Sequence, residues 1–474
     1  MDSTALSERH PLSKASRYLP YTAQPNSFSS GNAAKPLPLA LCLAAGFGIW
    51  LIGSPEGVTD RAWRLFAIFI AAILGIILQP LAPSPVALCA LGVAMLTDTL
   101  SVQQALQAYS TAVPWLILMS FFIARGVVNT GLGSRMGYMS VSWAGSSTLR
   151  LAYALVTVEL LIAPGVPSSA ARSGGVISPM ATSIAVGCDS RVGDGTERRL
   201  GAYLVFTCFQ ASCTSSAMFI TAVTSNPLAI GLAKSLLGFE IAWGQWAWAA
   251  LAPGLLATIT MPAFLYCVFP PALKHAPEAP VRAREKLAEM GPMSQDEIIM
   301  LCTGVFTLVL WVHGHALGIS TVTTAFLGFS ILLCTGIVTW KQCLSEGTAW
   351  DTLVWFGALI SLAFYLNELG LTPWAAGKLS AALEGMEPAW QTSYFVLMLL
   401  YFYVHYLFAS TGAHVGALYT AFLKASLSLG VPPLLAALTL GFMSSLNGCI
   451  TQYGIGSAPC YFATGYVSVG DWWR

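Results

Sequence analysis

The nine residues Pro167-Ser-Ser-Ala-Ala-Arg-Ser-Gly-Gly175 set an arginine in the middle of a long apolar stretch, with helix-breaking residues on both sides. A guanidinium cannot be neutralised by burial, and placing one at the centre of a bilayer costs roughly 2.5 to 3.5 kcal/mol even on lenient insertion scales. Arg172 therefore requires a partner or a ligand. An arginine among Ser and Gly at membrane depth points to an anion site, and the chain around it must be one that leaves helical geometry inside a membrane.

The rest of the 474 residues agrees with a membrane setting, since 56% are hydrophobic and only 9% charged, against about a quarter charged in soluble globular chains. No Asp, Glu, Lys or Arg occurs from Phe66 to Thr97, Leu200 to Ala233, Ile241 to Leu273, Ile298 to Trp340, Pro388 to Leu423 or Ala425 to Gly470. Each gap holds one or two spans of about 20 residues, and with the shorter apolar blocks the total is about eleven to fourteen embedded segments. The composition predicts an all-α polytopic membrane protein. A net charge of +1 without any long basic run excludes nucleic acid as a partner. The 11 cysteines show neither CxxC nor His/Cys metal spacing and read as small buried hydrophobes, so no metal or cofactor is expected.

Residues 1–35 are rich in Ser, Ala and Pro, with Arg9, Lys14, Arg17 and Lys35 set against Asp2 and Glu8. They read as a disordered or transit-like tail. The extended polar stretch of the interior, 274–297, reads as a connector with a short surface helix from Arg282 to Met290, ended by Gly291-Pro292. It divides the apolar material into halves at 36–273 and 298–474. Charges of both signs between Asp189 and Arg199 and along the connector give the positive-inside rule no net bias from which to assign orientation.

The halves carry a weak, ordered repeat. In the first, 163–175 is followed by Thr224-Ser-Asn-Pro-Leu-Ala-Ile-Gly231; in the second, Phe408-Ala-Ser-Thr-Gly-Ala-His-Val-Gly416 is followed by Gly454-Ile-Gly-Ser-Ala-Pro-Cys-Tyr461. Small and hydroxylated residues inside apolar runs let the backbone unwind and expose N–H and carbonyl groups. Paired interruptions in corresponding halves mark the substrate site of a transporter. The spacing predicts hairpins entering the membrane near 163–183 and 408–423. Each break also has a packing explanation, because small residues let membrane helices approach closely and Ser or Thr can bond their own helix carbonyls. Arg172 has an alternative partner in Glu159, thirteen residues earlier, and such a pair would leave little charge for a substrate. His414 follows the Ser410-Thr411-Gly412 break and is either a satisfied bundle residue or a donor to a carboxylate. His405, His313 and His315 have no comparable setting.

The segments at 167–175, Ala217-Met-Phe-Ile-Thr-Ala-Val-Thr-Ser-Asn-Pro-Leu228, Trp350-Asp-Thr-Leu-Val-Trp-Phe-Gly-Ala358 and Asn447-Gly-Cys-Ile-Thr-Gln-Tyr-Gly-Ile-Gly-Ser-Ala-Pro459 resemble the divalent anion/sodium symporter family, and within it the plastid 2-oxoglutarate/malate translocators. The resemblance runs from Lys35 to Arg474. It implies two inverted repeats with re-entrant hairpins and unwound helices, a scaffold plus an elevator-like transport domain, and a homodimer in the plastid inner envelope. Ser168, Ser169, Arg172, Asn226, Ser410, Thr411, His414, Thr451 and Ser457 are then the expected contacts of one dicarboxylate between the hairpin tips. In sodium-coupled members each tip reads Ser-Asn-Thr or a close variant. Here the tips are Ser168-Ser169-Ala170 and Ser410-Thr411-Gly412, which removes side-chain oxygens that a hard cation would need. The expectation is sodium-independent antiport, no enzyme activity, and lipid and dicarboxylate as the partners.

A sodium-coupled di- or tricarboxylate symporter shares the same architecture and is the alternative. An intramembrane enzyme would need a nucleophile with a base, and His405 and His414 lie nine apart with no carboxylate or cysteine in register. A channel would need a continuous pore, which broken helices do not favour. Family members carry a further hydrophobic segment after a stretch like Gly470-Asp-Trp-Trp473, so the last scaffold helix is expected to be missing from this sequence.

Overall fold

The computed structural model describes residues 33–384, 390–408 and 410–473. Most of the tail read at 1–35 thus lies outside the described residues, as does Ala409 at the second hairpin. The helices all belong to one unit, Ala34–Arg474.

Among the described residues, seven helices are long and apolar enough to cross a membrane: Asp60–Leu78, Ala112–Thr130, Thr148–Gly165, Trp243–Val268, Gln295–His313, Gly347–Glu368 and Pro433–Ile450. Three shorter apolar helices, Pro36–Ile52, Pro83–Leu96 and Thr321–Cys334, accompany them. The eleven to fourteen segments expected from charge gaps exceed this number because several apolar runs are broken into pieces that do not span alone. The chain is an all-α polytopic membrane protein, with no strand among the described residues.

The two inverted repeats are built to one plan. In the first, helix Thr148–Ile162 tightens into a 3-10 turn at Ala163–Gly165. The chain then re-enters helix at Ser169–Arg172, passes through a π segment at Ser173–Ile177 and leaves as helix Ser178–Gly187. In the second, helix Trp390–Val404 is followed by the turn His405–Leu407, helix Thr411–His414, π segment Val415–Tyr419 and helix Thr420–Ser428. Every landmark of the second hairpin lies 242 residues after its counterpart: 405 − 163, 410 − 168, 414 − 172 and 415 − 173. Pro164 and Pro167 stop the first hairpin from forming one helix, because each lacks an N–H. A π segment widens the turn by one residue and is frequent at functional sites.

Each hairpin is followed by an interrupted helix. Gly201–Met218 ends at extended Phe219, a 3-10 turn spans Ile220–Ala222, and helix restarts at Ser225–Leu237. Pro433–Leu446 likewise gives way to a 3-10 turn at Asn447–Ile450, extended Thr451 and a stretch without helix, until Ala458–Phe462.

The halves are joined through helix Glu278–Met290, which lies against Leu132–Ala144. Arg135 fixes the join: its Nε donates to Glu297 Oε1 (2.5 Å), its Nη2 to Glu297 Oε2 (3.1 Å) and its Nη1 to the Gly291 carbonyl (2.9 Å). A fork-to-fork pair of this kind sets orientation as well as energy. Glu297 also closes the capping box with Ser294 that starts helix Gln295–His313.

Candidate functional site

The first hairpin tip is organised around Arg172, which is fully buried. Its Nε donates to Glu159 Oε1 (2.9 Å), its Nη1 to the Val166 carbonyl (2.6 Å) and also to the Ala222 carbonyl, and its Nη2 to Ser216 Oγ (2.9 Å). Glu159 sits on the helix leading into the hairpin, and Ser215 Oγ donates to the same Oε1 (2.9 Å). All of these partners belong to the first half. The guanidinium is compensated by protein and ties the hairpin to its leading helix and to the unwound segment behind it. Ser168 caps the short helix, accepting from Ala171 N–H at 3.2 Å.

The second tip repeats the geometry with neutral groups. His414 takes the place of Arg172 and Tyr401 that of Glu159, again 242 residues on. The Tyr401 and His414 rings lie 4.4 Å apart, and Tyr401 Oη pairs with Ser444 Oγ (2.8 Å) as Glu159 pairs with Ser215. Asn447 Nδ2 donates to His414 Nδ1 (2.8 Å), which leaves the ring proton on Nε2. Ser410 Oγ accepts from Ala413 N–H at 3.5 Å, at the long limit for such a bond. Thr411 is buried beside it.

The two halves meet at these elements. Gly456 of the second unwound segment lies against the first tip, where a Cβ on it would stand 3.3 Å from Ser169 Oγ and 3.5 Å from Ala170 Cβ. Asn226, buried, donates Nδ2 to the Ser216 and Phe219 carbonyls (2.7 and 2.8 Å) and accepts from Ser445 Oγ (3.0 Å). It holds the first break open and bonds it to the helix that precedes the second. Thr451 and Ser457 are fully buried in the second break.

The halves differ in how far their buried polar groups are satisfied. On the second side His405 Nδ1, His414 Nε2, Asn447 Oδ1, Thr451 Oγ1 and Ser457 Oγ are buried with no hydrogen-bond partner among the described residues; around the first tip and break only Glu159 Oε2 and Ser225 Oγ are in that position. Buried polar atoms are satisfied in the great majority of native structures, so such a concentration is unusual. Of the five atoms on the second side, His414 Nε2–H and the two hydroxyls can donate, whereas His405 Nδ1 and Asn447 Oδ1 only accept. Among the described residues no group of three or more His, Cys, Asp or Glu is placed to hold a metal ion.

Of the residues singled out from sequence, Ser168, Ser169 and Arg172 come together at one tip, Ser410, Thr411 and His414 at the other, and Asn226, Thr451 and Ser457 at the two breaks. Arg172 is not bonded to the second-half cluster: its hydrogen bonds end within its own half. Sequence reasoning set His405 aside and did not single out Tyr401, Asn447, Ser215 and Ser216. The 242-residue register, had it been extended backwards from the tips, would have paired Tyr401 with Glu159.

Comparison with known proteins yields one family. The model of the sodium:sulfate symporter transmembrane region matches residues 33–474. Dicarboxylate transporter 1, chloroplastic, of Spinacia oleracea is 47% identical over 99% of this chain and 87% of its own length. The putative malate transporter YflS of Bacillus subtilis is 43% identical over 93% of this chain and 92% of its own. Among solved structures, the Alcanivorax borkumensis YdaH transporter, described as having an unusual topology, aligns with a TM-score of 0.54 over 92% of both chains at 13% identity, a likeness of fold.

Proposed function

The chain belongs to the sodium:sulfate symporter transmembrane family, and on that footing we propose that it exchanges dicarboxylates of the 2-oxoglutarate/malate type across the plastid inner envelope, without sodium, as a homodimer. The names of its relatives support the substrate class and the plastid. The observation that carries the reading is the set of buried, unpartnered donors and acceptors on the second hairpin and its break.

In this reading one carboxylate accepts from His414 Nε2–H and the hydroxyls of Ser410, Thr451 and Ser457, while the other meets Ser169 and the backbone at the first tip. Arg172 acts as a brace, since Glu159 already compensates its charge. Sodium independence has a physical basis: the Val166 and Ala222 carbonyls, which could serve a hard cation, are occupied by the guanidinium, and the second tip lacks a third side-chain oxygen at Gly412. Obligatory exchange follows from the same polar set. Each buried group left unbonded costs about 1 to 3 kcal/mol, so an elevator-like movement of the empty site, with five such atoms dry, is slow. Substrate bonds the donors among them, His414 Nε2–H and the Thr451 and Ser457 hydroxyls, and releases the movement.

Labelled malate uptake into proteoliposomes, preloaded with 2-oxoglutarate or empty, each with and without a sodium gradient, tests this. Uptake that requires internal dicarboxylate and ignores sodium is the expected result. Sodium-driven uptake into empty vesicles would establish the coupled symporter instead.

A further inference from the structure

We propose that His405 is a positioning residue of the substrate site, through the hydrogen bond that its ring donates to the Gly454 carbonyl; the inference rests on the dicarboxylate reading above. His405 opens the turn that leads into the second hairpin, is 1% exposed, and bonds Gly454 O from Nε2 at 2.8 Å. A carbonyl only accepts, so Nε2 carries the proton. Gly454 lies between Thr451 and Ser457, whose buried hydroxyls have no hydrogen-bond partner among the described residues. This bond, together with that of Tyr453 Oη to the Tyr406 carbonyl (3.1 Å), ties the non-helical stretch that carries both hydroxyls to the turn.

The first half has the counterpart of the Tyr453 bond, since Pro164 lies 242 residues before Tyr406, but not of the His405 bond. There the turn Ala163–Gly165 supplies the carbonyl, and Thr221 of the unwound segment donates Oγ1 to Pro164 O at 2.6 Å. By register, His405 corresponds to Ala163, which has no donor side chain. Each half thus ties its break to the turn leading into its hairpin, and the second half adds the His405 bond to that tie. The added bond also abuts the ligand cluster, since the His405 and His414 rings are 5.0 Å apart. Gly454 has to be glycine for it to form: a Cβ there would stand 2.9 Å from His405 Nε2 and would also meet Thr451 Oγ1.

The experiment is malate/2-oxoglutarate exchange in proteoliposomes by the full chain and by His405→Phe, His405→Gln and Gly454→Ala. Phe keeps a ring of similar size and removes the donor; Gln restores an N–H near the position of Nε2. His405→Phe and Gly454→Ala are expected to raise the half-saturating malate concentration about tenfold, with the maximal exchange rate within about threefold of the parent, because loss of one buried bond is worth about a factor of ten. His405→Gln is expected to return to within about threefold of the parent. A half-saturation unchanged in both His405→Phe and Gly454→Ala, or a Gln variant no better than Phe, overturns the proposal. If His405→Phe does not reach the membrane, His405→Leu, which also lacks the donor, takes its place in the comparison with His405→Gln. Absence of exchange by the parent chain would refute the dicarboxylate reading itself and the positioning role with it, and is separately visible.

Discussion

In the first hairpin the position four residues past the capping serine holds Arg172, braced by Glu159 and two carbonyls; in the second the same position holds His414, braced by the ring of Tyr401 and the amide of Asn447. The backbones match turn for turn, yet the polar groups are satisfied differently. A guanidinium has five N–H donors and no acceptor, and must be saturated to be buried. An imidazole is neutral and two-sided, so one nitrogen can be tied to protein while the other stays available to a ligand. The duplicated scaffold thus differs in its two halves: one holds shape through charge, the other keeps neutral polar groups buried without protein partners.

The most severe test of this difference removes the charge partner. Glu159→Gln leaves Arg172 buried without a counter-charge, an arrangement that costs about 3 to 5 kcal/mol. Tyr401→Phe, its counterpart, removes only the bond to Ser444, worth about 1 kcal/mol. Thermal unfolding in detergent should show a large loss for the first and a small one for the second. Similar small losses in both would mean that Arg172 is not a brace.

The second test exploits a glycine. A Cβ on Gly412 would stand 2.7 Å from Trp355 Cη2, on the helix Gly347–Glu368. Gly412→Ala should therefore cost about 1 to 3 kcal/mol through overpacking, seen as a lowered melting temperature and slower exchange. Its counterpart in register is Ala170, and Ala170→Gly should cost no more than about 1 kcal/mol, through helix propensity alone. Equal effects at the two positions would show that the second tip has the same freedom as the first.

Much of the fold was legible because its signals are local: charge-free runs of membrane length, Pro and Gly breaks inside them, and a polar connector between the halves. The tips were found because Ser and Gly in an apolar run have few other uses. Arg172 was found but its partner was left undecided, since thirteen residues on a broken backbone do not say whether Glu159 turns towards it. His405 was passed over because its importance lies in a contact with Gly454, 49 residues on, and no local pattern encodes that distance. The unpartnered atoms of Asn447, Thr451 and Ser457 are likewise properties of tertiary burial. Residue type told which groups bond anions, and only packing told which of them remain unbonded.

The smallest expected effects lie at the caps, and they separate structure from ligand contact most cleanly. Ser168 accepts from Ala171 N–H at 3.2 Å, a good cap, whereas Ser410 accepts from Ala413 N–H at 3.5 Å. An N-cap serine contributes about 1 kcal/mol when its geometry is good, and much less at the distance limit. Ser168→Ala should thus lower stability by about 1 kcal/mol and leave the half-saturating dicarboxylate concentration within about threefold. Ser410→Ala should barely move the melting temperature, yet raise the half-saturating concentration by about tenfold, the worth of one ligand hydrogen bond. Parallel melting curves and exchange kinetics read both quantities on the same preparations. If the two serines behaved alike, the long cap at Ser410 would not reflect a hydroxyl held ready for substrate, and the difference between the hairpins would stop short of their tips.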